Sequence, residues 1–126
     1  GMVAELPRDP ALAMGLWCAQ GTPCTSVFLP VALDTPLPPP LTRGGGEPDP
    51  GSSWWALKGL GDAVMADPPR LTPLVQEMWG AWEAALEAEW RADRAGAGRR
   101  LPAHVAAMLE RRRALLERLG GAGAPG

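Results

Sequence analysis

The sequence is poor in the groups from which catalytic and metal sites are assembled. It contains one histidine, His104, and two cysteines, Cys18 and Cys24. A histidine that binds a metal or moves a proton needs partners, and no second histidine is present to make a cluster. His104 stands beside Pro102 in the first turn of an expected helix and reads as a surface residue. Five residues separate Cys18 from Cys24, too many for a CxxC redox pair, and no second pair exists to complete a zinc ribbon. Both read as reduced, buried or half-buried thiols; a nucleophile would need a neighbouring base. The expectation is no catalytic residue, no metal and no cofactor.

Tyrosine, isoleucine and asparagine are absent, and Lys58 is the only lysine. These types have AT-rich codons, so a GC-rich genome explains the omission without selection on function. A net charge of −2 and a pI near 5.3 exclude a nucleic-acid footprint, which needs clustered positive charge. The run Arg111-Arg112-Arg113 is flanked by Glu110 and Glu117 at helix-pair spacing and reads as a surface patch.

Long apolar runs are missing too: nothing approaches the roughly 20 residues of a membrane span. Residues 11–19 have the length of a signal-peptide core, but Glu5 and Asp9 precede them where positive charge is required. Trp17 is too large for a lipoprotein-type cleavage site before Cys18. The chain is expected to be cytoplasmic, with Gly1 an expression remnant before a genuine start at Met2.

Glycine (16) and proline (15) are plentiful and concentrate in residues 34–51 and 120–126, read as a loop and a flexible tail. That leaves roughly 90 residues to fold, one domain of a size at which folding alone becomes less comfortable and a partner is suggested. The expected class is α+β: a short antiparallel strand pair within 2–33, a Pro/Gly-rich loop over 34–51, and three amphipathic helices over 52–119, the last two an antiparallel pair.

Residues 12–19 and 25–31 are strand-length runs separated by Gly21-Thr22-Pro23. Pro30 belongs at an edge or a strand end, and two strands alone need a third strand or a helix to cover them. The first helix starts at Ser52 or Ser53, carries Trp54, Leu57, Leu60, Val64 and Met65 at helical steps, and stops at Asp67-Pro68-Pro69. Gly59 and Gly61 weaken it unless another backbone packs closely there. The second helix is capped by Thr72 with Pro73 in its first turn. Its apolar stripe is Val75, Trp79, Trp82, Leu86 and Trp90, with Glu77, Glu83 and Glu87 on the solvated side. Glu83 and Glu87 are neighbours on that side, whereas a hydrolytic pair must oppose across a cleft. The third helix begins near Pro102 and is capped by Gly120. Six tryptophans are a large aromatic payload; Trp79, Trp82 and Trp90 share one face, read first as core and second as a candidate interface.

The run from Gly21 to Val31 (Gly-Thr-Pro-Cys-Thr-Ser-Val-Phe-Leu-Pro-Val), the Pro-rich loop after it, Ser53-Trp54-Trp55 opening a helix, and the acidic long helix over 79–94 together resemble the C-terminal part of the secernin-like dipeptidases. These are the C69-type branch of the N-terminal-nucleophile (Ntn) hydrolases, and the similarity covers residues 12–94. The resemblance implies that the nucleophile, a freed N-terminal Cys using its own α-amino group as base, lies in a portion preceding this one. Cys24 falls in the distal strand motif and does not correspond to it, so no catalytic residue is carried over. The implied function is a C-terminal fragment or subunit of a dipeptidase-like amide hydrolase, inactive alone, with a separately encoded N-terminal portion as partner. The alternative is a stand-alone helical interaction module that homodimerises through Trp79, Trp82 and Trp90.

Overall fold

A computed structural model describes residues 1–123. The chain opens with a strand that the sequence did not announce, β1 (Met2–Glu5). It pairs antiparallel with β2 (Gly15–Cys18), Met2 opposite Cys18 and Glu5 opposite Gly15. β2 pairs antiparallel in turn with β3 (Leu29–Val31), Leu16 opposite Val31, so the sheet order is β1-β2-β3. The expected strand pair is β2 and β3, and β1 is the third strand that such a pair needs in water. Four residues ending near Pro7 are too few to show a period of two, which is why β1 escaped notice.

The third strand starts four residues later than expected. Pro23 opens a single 3-10 turn, Pro23–Thr25; Ser26 after it is extended with its N–H on Pro23 C=O, and Phe28 N–H is taken by the Glu83 side chain. Pro30 costs the ladder nothing. Gly1 and Ala19 exchange both of their backbone bonds (2.8 and 2.9 Å), which sets the alternation along the sheet. Val3 and Trp17 then face each other, Leu16 and Cys18 face β3, and the missing N–H of Pro30 falls on the outer edge.

The Pro-rich loop contains one helical turn, α1 (Pro39–Thr42), which brings Leu41 onto the core. The first long helix, α2 (Ser53–Val64), is capped as expected: Ser52 Oγ accepts from Trp55 N–H at 3.4 Å. Side chains, and not a second backbone, pack against its two glycines. A Cβ on Gly59 would lie 3.2 Å from the Arg112 guanidinium, and one on Gly61 would lie 3.2 Å from Thr25 Oγ1.

Both later helices begin earlier than their prolines suggest. The second, α3 (Pro68–Ala92), starts at the Pro pair expected to be a connection, so Thr72 is not its cap and Pro73 lies inside it. Leu71 explains the extension: it is buried, and it prolongs the stripe Val75, Trp79, Trp82, Leu86, Trp90 by one turn. Pro73 forfeits only the bond to Pro69 C=O near the solvent-facing start. The last helix, α4 (Ala97–Gly123), includes Pro102 and runs through Gly120, which is not a cap. Residues 120–123 of the expected tail are therefore helical, and 124–126 lie outside the described residues. Its first turn starts at Ala97 because Gly96, Ala97 and Gly98 are buried, and Thr35 packs where a side chain on Gly98 would be.

Contacts between α3 and α4 run in opposite directions. Glu89 meets Arg100 (2.7 Å) and His104 (3.3 Å), Trp82 lies under Arg111, and Met78 meets Arg118 Nη1 at 2.7 Å. These helices are the antiparallel pair expected. Leu57, Leu60 and Val64 of α2, the α3 stripe, Leu101, Val105, Met108, Leu115 and Leu119 of α4, and Val27 and Leu29 by the sheet form one core. No described helix is long and apolar enough to cross a membrane.

Candidate functional site

The residues whose chemistry attracted attention in the sequence are dispersed. Cys24 is exposed on the 3-10 turn, and its carbonyl accepts a bond from Gln76 Nε2 at 3.2 Å. Cys18 is half-buried in β2; burial pushes its thiol upward, against the nearby N-terminal charge, so its thiolate is disfavoured. Among the described residues no group of three His, Cys, Asp or Glu side chains could hold a metal.

His104 is not the surface residue expected. Its side chain is 12 % exposed, edge-on to Trp82 at 6.4 Å between ring centres, with Nε2 3.3 Å from Glu89. Burial is the largest influence and lowers its pKa, Arg100 lowers it further, and Glu89 opposes both. Three residues from Leu101, and one from Val105, it occupies the margin of α4's apolar face. The basic run is likewise only partly a surface patch. Arg113 pairs with Glu110 and Glu117, and Arg111 lies 4.7 Å over Trp82. Arg112 is half-buried, however, and its Nε donates to Ala56 C=O of α2 at 2.9 Å.

Trp79, Trp82 and Trp90 are 2 %, 9 % and 2 % exposed. The face they share, read second as a candidate interface, is packed within the chain itself, where all three belong to the buried residues. Trp79 Nε1 donates to Thr25 C=O at 3.1 Å, and Trp90 packs edge-on to Trp17 at 5.7 Å with Arg94 4.5 Å over its ring. The conspicuously exposed tryptophan is Trp54 at the start of α2.

One acidic residue behaves differently from its neighbours. Glu83 was expected on a solvated face, but it is half-buried and its Oε1 accepts Phe28 N–H at 3.0 Å. It stands four residues after Trp79, at the border of the apolar stripe, where Phe28 comes within hydrogen-bond reach. Glu83 lines an open groove of about 500 Å³ between the sheet and α3. Val3, Trp17 and Phe28 make its apolar side, and Gly80 and Ala84 of α3 leave it wide. Glu5, Glu87 and Arg91 stand at the same groove and neutralise one another: Arg91 Nη2 is 3.0 Å from Glu87 and 3.6 Å from Glu5, which Arg94 also approaches at 3.5 Å. Chemically the groove offers apolar contact and one carboxylate, Glu83, that has no cation partner among the described residues. It has the character of a binding surface.

No family model matches this chain, and neither a curated protein nor a solved structure matches it.

Proposed function

We propose that the chain is the C-terminal portion or subunit of a C69-type, dipeptidase-like Ntn amide hydrolase, silent until joined to the portion that carries the nucleophile. The observation that carries this reading is that the residues behind the resemblance converge in space and bond the elements to one another. Gly21, with φ +72°, lets the turn pass close against Leu57 and Lys58 of α2. Ser53 Oγ, at the head of the Ser-Trp-Trp helix, bonds the Gln20 side chain and donates to Pro40 C=O at 2.8 Å. One hydroxyl hydrogen cannot serve both oxygens, so the Gln20 amide is best turned to donate to Ser53. Thr25 C=O and Phe28 N–H are taken by Trp79 and Glu83 of the long acidic helix. Each contact holds elements together, and none brings a base to a thiol. A layer supporting an active site built elsewhere would have this distribution.

The test has two arms. The coding sequence immediately upstream should specify a Cys-initiated core, and its absence overturns the reading. The purified chain should hydrolyse dipeptides no faster than a blank; hydrolysis by this chain alone that disappears in Cys24→Ala overturns it as well.

A further inference from the structure

We propose that the outer edge of β1 and the groove beside it dock an extended segment of a second, different polypeptide, which joins the sheet as a fourth strand and places a basic side chain against Glu83. This inference stands on the edge and the groove and does not require the hydrolase reading.

The ladder phase leaves the edge open. Because Gly1 and Ala19 exchange both bonds, Val3 and Glu5 direct their N–H and C=O groups toward β2, and Met2 and Ala4 direct theirs outward. β1 is the end strand of the sheet, so those outward groups have no strand to meet. The two edges differ in protection. β3 carries Pro30, whose missing N–H blunts its outer edge, and both α3 and α4 pack against it. β1 has no lysine, no proline and no bulge, the usual guards against an added strand, and Met2 and Val3 are 69 % and 55 % exposed.

The groove chooses the occupant. Val3, Glu5 and Trp17 line it, so alternate side chains of a strand laid along β1 turn toward α3. Its lining holds three carboxylates, Glu5, Glu83 and Glu87, against the one guanidinium of Arg91. Glu5 and Glu87 are engaged by Arg91 and Arg94, whereas among the described residues Glu83 bonds only Phe28 N–H and its second oxygen has no partner. A lysine or arginine can lay its methylene stem over Trp17 and Phe28 and bring its charge to that oxygen. A second copy of this chain fits poorly, since its β1 contains no basic residue and would add another Glu5.

The probes are fluorescent peptides of about ten residues, alternating valine and threonine around one central arginine, or one glutamate in its place, titrated into the full chain by anisotropy. The arginine peptide should saturate, bind at least about tenfold tighter than the glutamate peptide, and protect the Met2 and Ala4 amides from hydrogen exchange. Ala4→Pro removes one outward N–H and no bond to β2, and should abolish binding with an unchanged circular-dichroism spectrum. Glu83→Gln keeps an acceptor for Phe28 and should erase the preference for arginine. If Ala4→Pro fails to fold, Glu83→Gln and amide protection decide. Failure of the arginine peptide to bind, equal affinity for both peptides, undiminished binding by Ala4→Pro, or no protection at Met2 and Ala4 overturns the proposal. A concentration-dependent dimer that protects those two amides without peptide also overturns it, by placing a second copy on the edge.

Discussion

Trp79→Phe isolates the bond that ties the strand motif to α3. Trp79 is buried, and its Nε1 donates to Thr25 C=O at 3.1 Å across 54 positions of sequence. Phenylalanine keeps an aromatic ring on the stripe but removes the donor, and Thr25, itself buried, is left with a carbonyl that water cannot easily reach. Such an orphaned acceptor costs about 1–3 kcal/mol. The smaller ring adds a cavity contribution of about 1–2 kcal/mol, less than the full truncation of a large aromatic. The control is Trp82→Phe, since the Trp82 indole N–H has no hydrogen-bond partner among the described residues and the change costs volume and ring contacts with Arg111, Trp79 and His104. The expected result is a total loss of about 2–5 kcal/mol for Trp79→Phe, exceeding that for Trp82→Phe by about 1–3 kcal/mol. Urea unfolding followed by far-ultraviolet circular dichroism measures both without depending on tryptophan emission. Equal losses in the two variants would refute the idea that this bond anchors the strand motif.

Three further outcomes follow from particular contacts. Gly98→Ala should destabilise by about 1–3 kcal/mol although alanine favours a helix by about 1 kcal/mol, because Thr35 occupies the space; thermal unfolding of Gly98→Ala with Thr35→Ala should show rescue. His104 has its pKa depressed chiefly by burial, so the unfolded chain binds its proton more readily than the folded one. Its contribution is therefore present above about pH 6.5 and is lost as pH falls from there toward the lower folded value. Stability measured across that range should slope less steeply in His104→Gln. Of the two thiols, Cys24 is exposed while Cys18 is half-buried with a raised pKa, so a thiol reagent at pH 8 should modify Cys24 first, by about tenfold or more in rate. Equal rates would show that β2 opens readily.

The α3 stripe illustrates how far local pattern reaches. Val75, Trp79, Trp82, Leu86 and Trp90 recur at helical steps, and all five are buried where that period demands. The helix ends were less legible, because prolines weigh against a helix locally while a buried residue weighs for it from across the fold. Leu71 moved the start of α3 ahead of Pro73, and the seat of Gly98 under Thr35 moved the start of α4 ahead of Pro102. β1 was invisible because its four residues acquire meaning only when β2 pairs with them.

By itself, then, the sequence determined the α+β class, the β2–β3 pairing, a serine cap at Ser52 or Ser53 and most of the apolar faces of three helices, although Trp54 and Met65 of the first are exposed. Each of these depends on chain neighbours within a few turns, where spacing is geometry. Tertiary structure alone decided that Trp79, Trp82 and Trp90 are buried within the chain, that His104 and Arg112 leave the surface, and that Glu83 meets Phe28 beside an open strand edge. Those facts join residues dozens of positions apart. No period along one element specifies which face of another will cover it, since burial and hydrogen bonding are settled by packing between elements.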